Sequence, residues 1–416
     1  MEFELRRNKL LEKMQDNSIA IVFAGLPKIA SEDEEYPFVA NRNFYYLTGI
    51  EQENSVLLLV KGLGVNKVYL FIDPFNPVKE RWTGKRLTNE EAREKSQIQN
   101  VYARESLDSI LPLILDKVNP QFGLIEHCYI DLSEELKIGR ELNTKKYAED
   151  FKAKFNLEVE DLYPLVVRLR MVKSEEEIAD LKKAIDKTNI GLNKLAASLR
   201  AGMYEYELAD IFEFNGREKG RSTLSFDTIV VSGKNATCLH YPTQDCKIKE
   251  GDVVLFDLGY QHNHYCADIS RCYPVDGVFT NLQRQVYEAV LNCNKAVIAY
   301  IKEGLTLAEV HAFSVNYLQN ECVRLGLIKP DDDVKKYYYH SVTHHLGLDT
   351  HDASLRDLPL ERGNVITVEP GLYFPEHNIG VRIEDDVLVT AARAEVLSQN
   401  ILKEVADIVK MLKTRK

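Results

Sequence analysis

Between His340 and Glu384 the sequence gathers the residue types that metal chemistry needs. Four of the ten histidines (His340, His344, His345 and His351) fall within twelve residues. Two acids, Glu369 and Glu384, close the strand-like runs Val365-Ile-Thr-Val and Val381-Arg-Ile. A carboxylate at the end of a buried strand has to be paired, hydrogen-bonded or bound to a metal, because an isolated buried charge costs too much. Few cations other than Arg382 lie near these acids. A metal ion is the simplest counter-charge, with a histidine as its nitrogen ligand.

About a hundred residues earlier the same pattern occurs. Gly251-Asp-Val-Val-Leu-Phe-Asp257 and Gly363-Asn-Val-Ile-Thr-Val-Glu369 each place an acid six residues after a glycine, at the end of a strand-type run. A second acid follows each on an expected hairpin partner, Asp268 after Asp257 and Glu384 after Glu369. Further upstream, Gly202 precedes Glu207 by five residues, as Gly304 precedes Glu309. The repeat is too long for a solenoid. It predicts two related halves, each giving two carboxylates to a shared centre. Four carboxylates and one imidazole suit two divalent cations.

Such a centre fits hydrolysis of an unactivated amide. It lowers the pKa of a bridging water and clamps the tetrahedral oxygen, with its ions roughly 3.5–4 Å apart. Asp257, Asp268, His344, Glu369 and Glu384 are the expected ligands. Oxygen-rich ligation with one imidazole suits Mn, Co or Fe, with Zn possible. Taken singly, each acid reads as a surface or capping residue; the matching offsets in two halves argue for a joint role. His340, His351 and His240 are candidates of the second rank, because a lone histidine is usually structural. If 340–344 is extended, His340 and His344 share a face, and His345 points elsewhere. His262 and His264 read as exposed turn residues. Cys266 and Cys272 flank Asp268 and read as small fillers rather than ligands.

The elements that position these residues follow from the pattern of the chain. Its 416 residues predict two or three domains, and 45% hydrophobic with 28% charged residues describes an ordinary globular protein. The net charge of −11, without a basic stripe, argues against a nucleic-acid partner. The start of the chain lacks an apolar signal-type core, and no run of eighteen apolar residues occurs, so no membrane partner is expected. Seven cysteines without a CxxC pair fit a reducing cytoplasm. Residues 1–168 read as a mixed α/β domain. Within it, a helix runs to about Gln15, and strands occupy Ile19–Ala24, Ser55–Lys61 and Lys67–Asp73. Helices are expected over Thr88–Gln97, Leu107–Val118 and Ser133–Phe155, with strands near Val101 and Phe122–Glu126. The Gly62-Leu-Gly64 loop is a hairpin and not a dinucleotide fingerprint, since no helix follows it. Residues 169–416 form the second domain, opened by the capping box Ser174-Glu-Glu-Glu177 and a helix to about Leu199. A last helix is expected over Ser398–Lys413.

The motifs Asp257–Asp268, His344-x-Leu-Gly, Thr-Val-Glu369-Pro-Gly and Arg382-x-Glu384-Asp resemble those of the pita-bread metallopeptidases. That family includes methionine aminopeptidase, prolidase and aminopeptidase P. Phe38-Val-Ala-Asn-Arg-Asn43-Phe-Tyr-Tyr-Leu-Thr-Gly49 is similar to the aminopeptidase P N-domain signature, with Val39-Ala40 in place of its Arg-Gln. His340-x-x-x-His344-x-Leu-Gly-Leu-Asp-x-His351-Asp is similar to the aminopeptidase P form. The resemblance implies an α+β fold: a C-terminal pita-bread domain with pseudo-twofold halves behind a mixed α/β N-terminal domain. It implies Asp268 and Glu384 as bridging ligands and Glu369 as the acid that shuttles the proton from the nucleophilic water. His351 would help hold the scissile carbonyl and His240 would contact substrate. His340, Tyr373 and Arg382 would wall a proline pocket. The only tryptophan, Trp82, would belong to a segment inserted towards a neighbouring subunit's site, against the alternative of a core aromatic. The implied activity is Xaa-Pro aminopeptidase, in a homodimer or homotetramer. Prolidase is the runner-up, and a non-catalytic peptide-binding protein on the same fold is the remaining alternative.

Overall fold

The structure is a computed structural model that describes residues 2–414 apart from 33, 134, 140–141 and 217–222. The chain divides into two compact units, Met1–Arg170 and Met171–Lys416.

The first unit is built on a six-stranded sheet in the order Asn100–Ala103, Asn66–Ile72, Val56–Lys61, Ser18–Phe23, His127–Ile130, Val159–Asp161. Ser18–Phe23 and Val56–Lys61 are apolar along nearly their whole length because both faces are covered. Leu107, Leu111, Ile114 and Phe151 pack with Ile19, Ile21, Leu58 and Val60. The Phe38–Gly49 signature forms a short helix, Arg42–Thr48, capped by Asn41, whose Oδ1 accepts from Phe44 N at 3.0 Å. Three expected elements differ. The Leu107 helix stops at Ile114. Asn119 Oδ1 then accepts from Gln121 N and Phe122 N, a turn that delays the next strand to His127. The helix expected from Ser133 begins at Thr144, where Asn143 caps it; residues 134, 140 and 141 lie outside the described chain. Trp82 is not a core aromatic: it is 85% exposed on the helix Pro77–Thr83, which buries none of its residues.

The second unit shows the sequence repeat as structure. Its helices come in two pairs, Glu175–Ser198 with Glu205–Asn215 and Asn281–Tyr300 with Leu307–Arg324. The repeated Glu207 and Glu309 prove to be helix-capping acids, accepting from Tyr204 N at 2.7 Å and Thr306 N at 2.8 Å. Each helix pair leads to antiparallel strands. Ile229–Ser232, Val253–Leu258 and Ile269–Pro274 form one sheet; Val365–Val368, Asp385–Val389 and Ala394–Val396 form another. Gly371–Phe374 pairs with Ile379–Arg382. The equivalent glycines, Gly251 and Gly363, have φ of +80° and +94°, a turn into each strand that a β-carbon would strain. The last helix starts at Val405 rather than Ser398, because a turn at Ser398, closed by Ile401 N donating to Ser398 O at 2.9 Å, and the irregular residues up to Lys403 are tied to the acid cluster described below. Among the described residues no helix is long and apolar enough to cross a membrane.

Candidate metal centre

Asp257 lies on Val253–Leu258 and pairs in register with Ser270. Asp268 immediately precedes that partner strand, Ile269–Pro274. Glu369 follows Val365–Val368, and Glu384 stands between Ile379–Arg382 and Asp385–Val389. Each half therefore delivers one acid from a strand end and one from a neighbouring strand, and the structure brings all four to one place. His344 Nε2 is 3.4 Å from Asp268 Oδ2 and 3.5 Å from Glu369 Oε1. Potential ligand atoms of Asp268, His344 and Glu384 lie within 4.8 Å of one another. Asp257, Asp268, Glu369 and Glu384 line a cavity of about 570 Å³ with His240, His340, His351 and Arg382.

The second-rank candidates separate by position. The 340–344 segment is not a strand; irregular backbone places His340 Nδ1 3.6 Å from Glu369 Oε2. The His351 ring packs 4.3 Å from the His344 ring, and His240 is an exposed cavity residue. Tyr373 is fully buried behind His340, with its hydroxyl 2.8 Å from His340 Nε2. Trp82 belongs to the other unit. His262 and His264 are half-buried rather than exposed, because their hairpin packs on the helix Glu175–Ser198; His262 Nε2 is 3.6 Å from Asp180 Oδ1. Cys266 and Cys272 are buried thiols, and Arg382 N donates to Cys272 Sγ at 3.4 Å.

Hydrogen bonds fix the imidazole tautomers. His344 Nδ1 is 3.1 Å from the carbonyl oxygen of His345, which can only accept, so Nδ1 carries the proton. The Nε2 lone pair is left facing Asp268 and Glu369, the arrangement a metal-binding histidine needs. In the same way His340 Nδ1 donates to Ser341 O at 2.8 Å, and Nε2 accepts from Tyr373. Arg382 Nη1 in turn donates to the Tyr373 hydroxyl at 3.2 Å.

The carboxylates are crowded beyond what the chain itself neutralises. Burial, then the Asp257, Asp386 and Glu369 carboxylates, push Asp268 well above the usual range. Burial and the neighbouring acids Asp268, Glu369 and Asp257 do the same to Glu384. Burial pushes Glu369 up to about 7 against the pull of His344 and Arg382. Burial with Arg382 nearby lowers His340 to about 3, and burial with His344 lowers His351. Within the cavity Arg382 Nη2 meets Asp257 Oδ2 at 2.6 Å, and Arg382 Nε donates to Ser270 Oγ at 2.7 Å. Four carboxylates against one guanidinium leave three excess negative charges. Either protons or cations must balance them. The oxygen-rich donor set with one oriented imidazole fits two divalent ions.

Several residues that shape this cluster were not singled out from the sequence. Ser270 Oγ donates to Glu384 Oε2 at 2.8 Å and lies 3.4 Å from Asp257 Oδ1. Strand parity could have found it, since Ser270 shares a face with Asp268. Arg271 donates to the Glu384 carbonyl at 2.5 Å and to Asp385 Oδ1 at 2.8 Å. Lys403 Nζ donates to Asp385 Oδ2 at 2.6 Å and to Asn294 Oδ1 at 2.8 Å. Burial opposes ionisation of Asp385, yet Arg271 and Lys403 hold it below the usual range. Asp386 accepts from Asp268 N at 3.2 Å, and burial pushes its carboxyl well up. The links to Arg271 and Lys403 carry no local sequence signal.

Comparison with known proteins agrees with this geometry. Residues 179–391 match Metallopeptidase family M24, and residues 3–121 match the Aminopeptidase P, N-terminal domain. The chain is 33% identical to the Xaa-Pro aminopeptidase of Haemophilus influenzae, over 98% of this chain and 96% of that one. It superposes on an aminopeptidase P structure from Bacillus anthracis with a TM-score of 0.94 at 40% identity, covering 100% and 98% of the two chains. For Zn-substituted Escherichia coli aminopeptidase P in complex with product, the TM-score is 0.90 at 31% identity, with coverage of 100% and 98%. With its four convergent acids, its pita-bread catalytic fold and its matching N-terminal domain, this chain belongs to metallopeptidase family M24 and, within it, to the aminopeptidase P group.

Proposed function

We propose that this protein is a metal-dependent Xaa-Pro aminopeptidase, removing the N-terminal residue from peptides with proline in second position. The observation that carries the reading is the Asp268–His344–Glu384 trio, with Asp257 and Glu369, in a cavity that also holds His240, His340 and His351. Asp257, Asp268, His344, Glu369 and Glu384 would hold two divalent ions, Mn in the first instance, with Co, Zn or Fe as alternatives. Asp268 and Glu384 are taken as the bridging pair. Bound there, such ions supply an activated water and polarise the scissile carbonyl.

The remaining chemistry belongs to side chains. Glu369 has one oxygen near His344 and the other near His340, so it is placed to take a proton and return it to the leaving amine. His351 and His240 stand at the cavity wall to orient the carbonyl and the substrate backbone. An Xaa-Pro bond is a tertiary amide without N–H, and its rigid ring calls for a shaped pocket. His340 and Arg382 form that wall, and Tyr373 acts through them, since its own ring is buried.

The choice between aminopeptidase and prolidase turns on Arg382. A dipeptidase needs a counter-charge for the proline carboxylate. The charge of Arg382 is already paired with the Asp257 carboxylate at 2.6 Å, and its other two nitrogens donate to Ser270 and Tyr373, which favours the aminopeptidase. The test compares kcat/KM for Xaa-Pro-Yaa peptides with that for Xaa-Pro dipeptides, in protein stripped of metal and restored with Mn, Co or Zn. Longer peptides are expected to be the better substrates, and alanine in second position is expected to lower kcat as well as binding. A preference for the dipeptide, with turnover abolished by C-terminal extension, would make this a prolidase.

Residues 1–168 serve as the N-terminal domain and 169–416 as the catalytic domain, in keeping with the division at Arg170. A homodimer or homotetramer is the proposed assembly. Its support is the exposed Trp82, with Phe75 and Val78 also exposed on the same short segment. A cytoplasmic location fits seven cysteines that are all free thiols.

A further inference from the structure

Three residues into the catalytic unit, Lys173 makes an ion pair that the chemistry above does not use. Lys173 Nζ is 3.0 Å from Asp352 Oδ2, and both side chains are only 1% exposed. The lysine is anchored by its backbone: Lys173 N donates to Gly363 O at 2.9 Å, and Asn364 Nδ2 donates to Met171 O at 3.0 Å. Asp352 is the residue after His351. Its N–H donates at 2.8 Å to the His345 carbonyl, the same oxygen that accepts from His344 Nδ1. The loop closes tightly over the pair. A β-carbon on Gly347 would lie 2.2 Å from Asp352 Oδ2 and 3.1 Å from Lys173 Cε.

The two cavity histidines on this loop are held differently. His344 has anchors of its own, since its N–H donates to Thr367 Oγ1 at 3.2 Å and its carbonyl accepts from Thr367 N at 2.9 Å. His351 lies in a segment without regular structure, with its ring against that of His344. The buried link beneath it runs through its neighbour Asp352 to Lys173. A buried ion pair adds little stability over an apolar pair of the same size, but it can hold one arrangement. We propose that Lys173 is a positioning residue that acts through Asp352 to hold His351 against His344 in the cavity. The proposal rests on the reading of His351 as a group that meets substrate.

The test uses full-length Lys173→Met, Asp352→Glu and the double variant Lys173→Met/Asp352→Asn. Asp352→Glu keeps both charges while lengthening the link. For each folded protein, kcat, KM and metal affinity are measured in the metal-loaded form, and the imidazole resonances of His351 and His344 in the form loaded with diamagnetic Zn. Because small misplacements of a substrate-orienting group are costly, kcat is expected to fall roughly 10- to 100-fold. KM and metal affinity are expected to change little, and the His351 resonance to shift while that of His344 stays. The double variant should recover thermal stability relative to Lys173→Met without recovering kcat. Wild-type kcat in Asp352→Glu, or an unmoved His351 resonance in every folded variant, would overturn the proposal. So would a loss of kcat that only tracks lost metal. An inactive wild-type protein would instead overturn the functional reading, and the resonances would still decide the positioning role.

Discussion

Replacing Glu369 by glutamine tests the charge argument directly. Burial lifts this carboxyl from the ordinary 4.5 to about 7. In the metal-free protein the folded chain therefore keeps a proton that the unfolded chain releases. The contribution of Glu369 to stability falls as pH rises from 4.5 through 7 and is flat above that. At about 1.4 kcal/mol per pKa unit, the lost stability is about 3 kcal/mol at pH 8. Glutamine is neutral and nearly the same shape, so it removes this slope. In chelator, Glu369→Gln is expected to match wild type at pH 4.5 and to exceed it by about 3 kcal/mol at pH 8. For a unit of this size that is roughly 6–12 °C in Tm. Comparing the two proteins at equal pH cancels His340 and His345, whose lowered pKa values act in the opposite sense, losing stability as pH falls below 6.5. Saturating Mn should reverse the order, because the ion stabilises the folded state that binds it, and the variant lacks one ligand. The assay is calorimetry from pH 4.5 to 8, with and without metal. A metal-free variant no more stable than wild type at pH 8, or a difference independent of pH, would refute the reasoning. In turnover, the same variant should lose kcat far more than it raises KM.

Asp268→Ala should lower the metal content from two ions per chain to at most one, read by elemental analysis after dialysis; two tightly held ions would argue against a bridging role. Trp82→Ala removes an exposed indole, so stability should stay within about 0.5 kcal/mol. Its expected effect is weaker discrimination by peptide length, and a strictly monomeric, fully active wild type in sedimentation would argue against assembly through this segment.

Much of the site was legible in the sequence because it depends on local geometry. Strand parity and the glycine turn set where Asp257 and Glu369 point, and both are encoded within a few residues. The pairing of each acid with a second one on a neighbouring strand followed from the same pattern. The repeated Gly202–Glu207 and Gly304–Glu309 spacing was also visible, although its meaning is helix capping and not chemistry.

What the sequence by itself determined is the repeat, the two halves and the kind of residue each brings. What only the tertiary structure decided is how those charges are balanced. Arg382 meets Asp257 across 125 positions, Lys173 meets Asp352 across 179, and Arg271 meets the Glu384 carbonyl across 113. Nothing periodic links such residues, because each contact depends on how whole strands and loops pack. The non-helical stretch Ser398–Lys403 shows the same limit. Its residues read as the start of a helix, yet Ser398 and Lys403 are drawn to Asp385, a buried charge whose need for partners outweighs local helical preference.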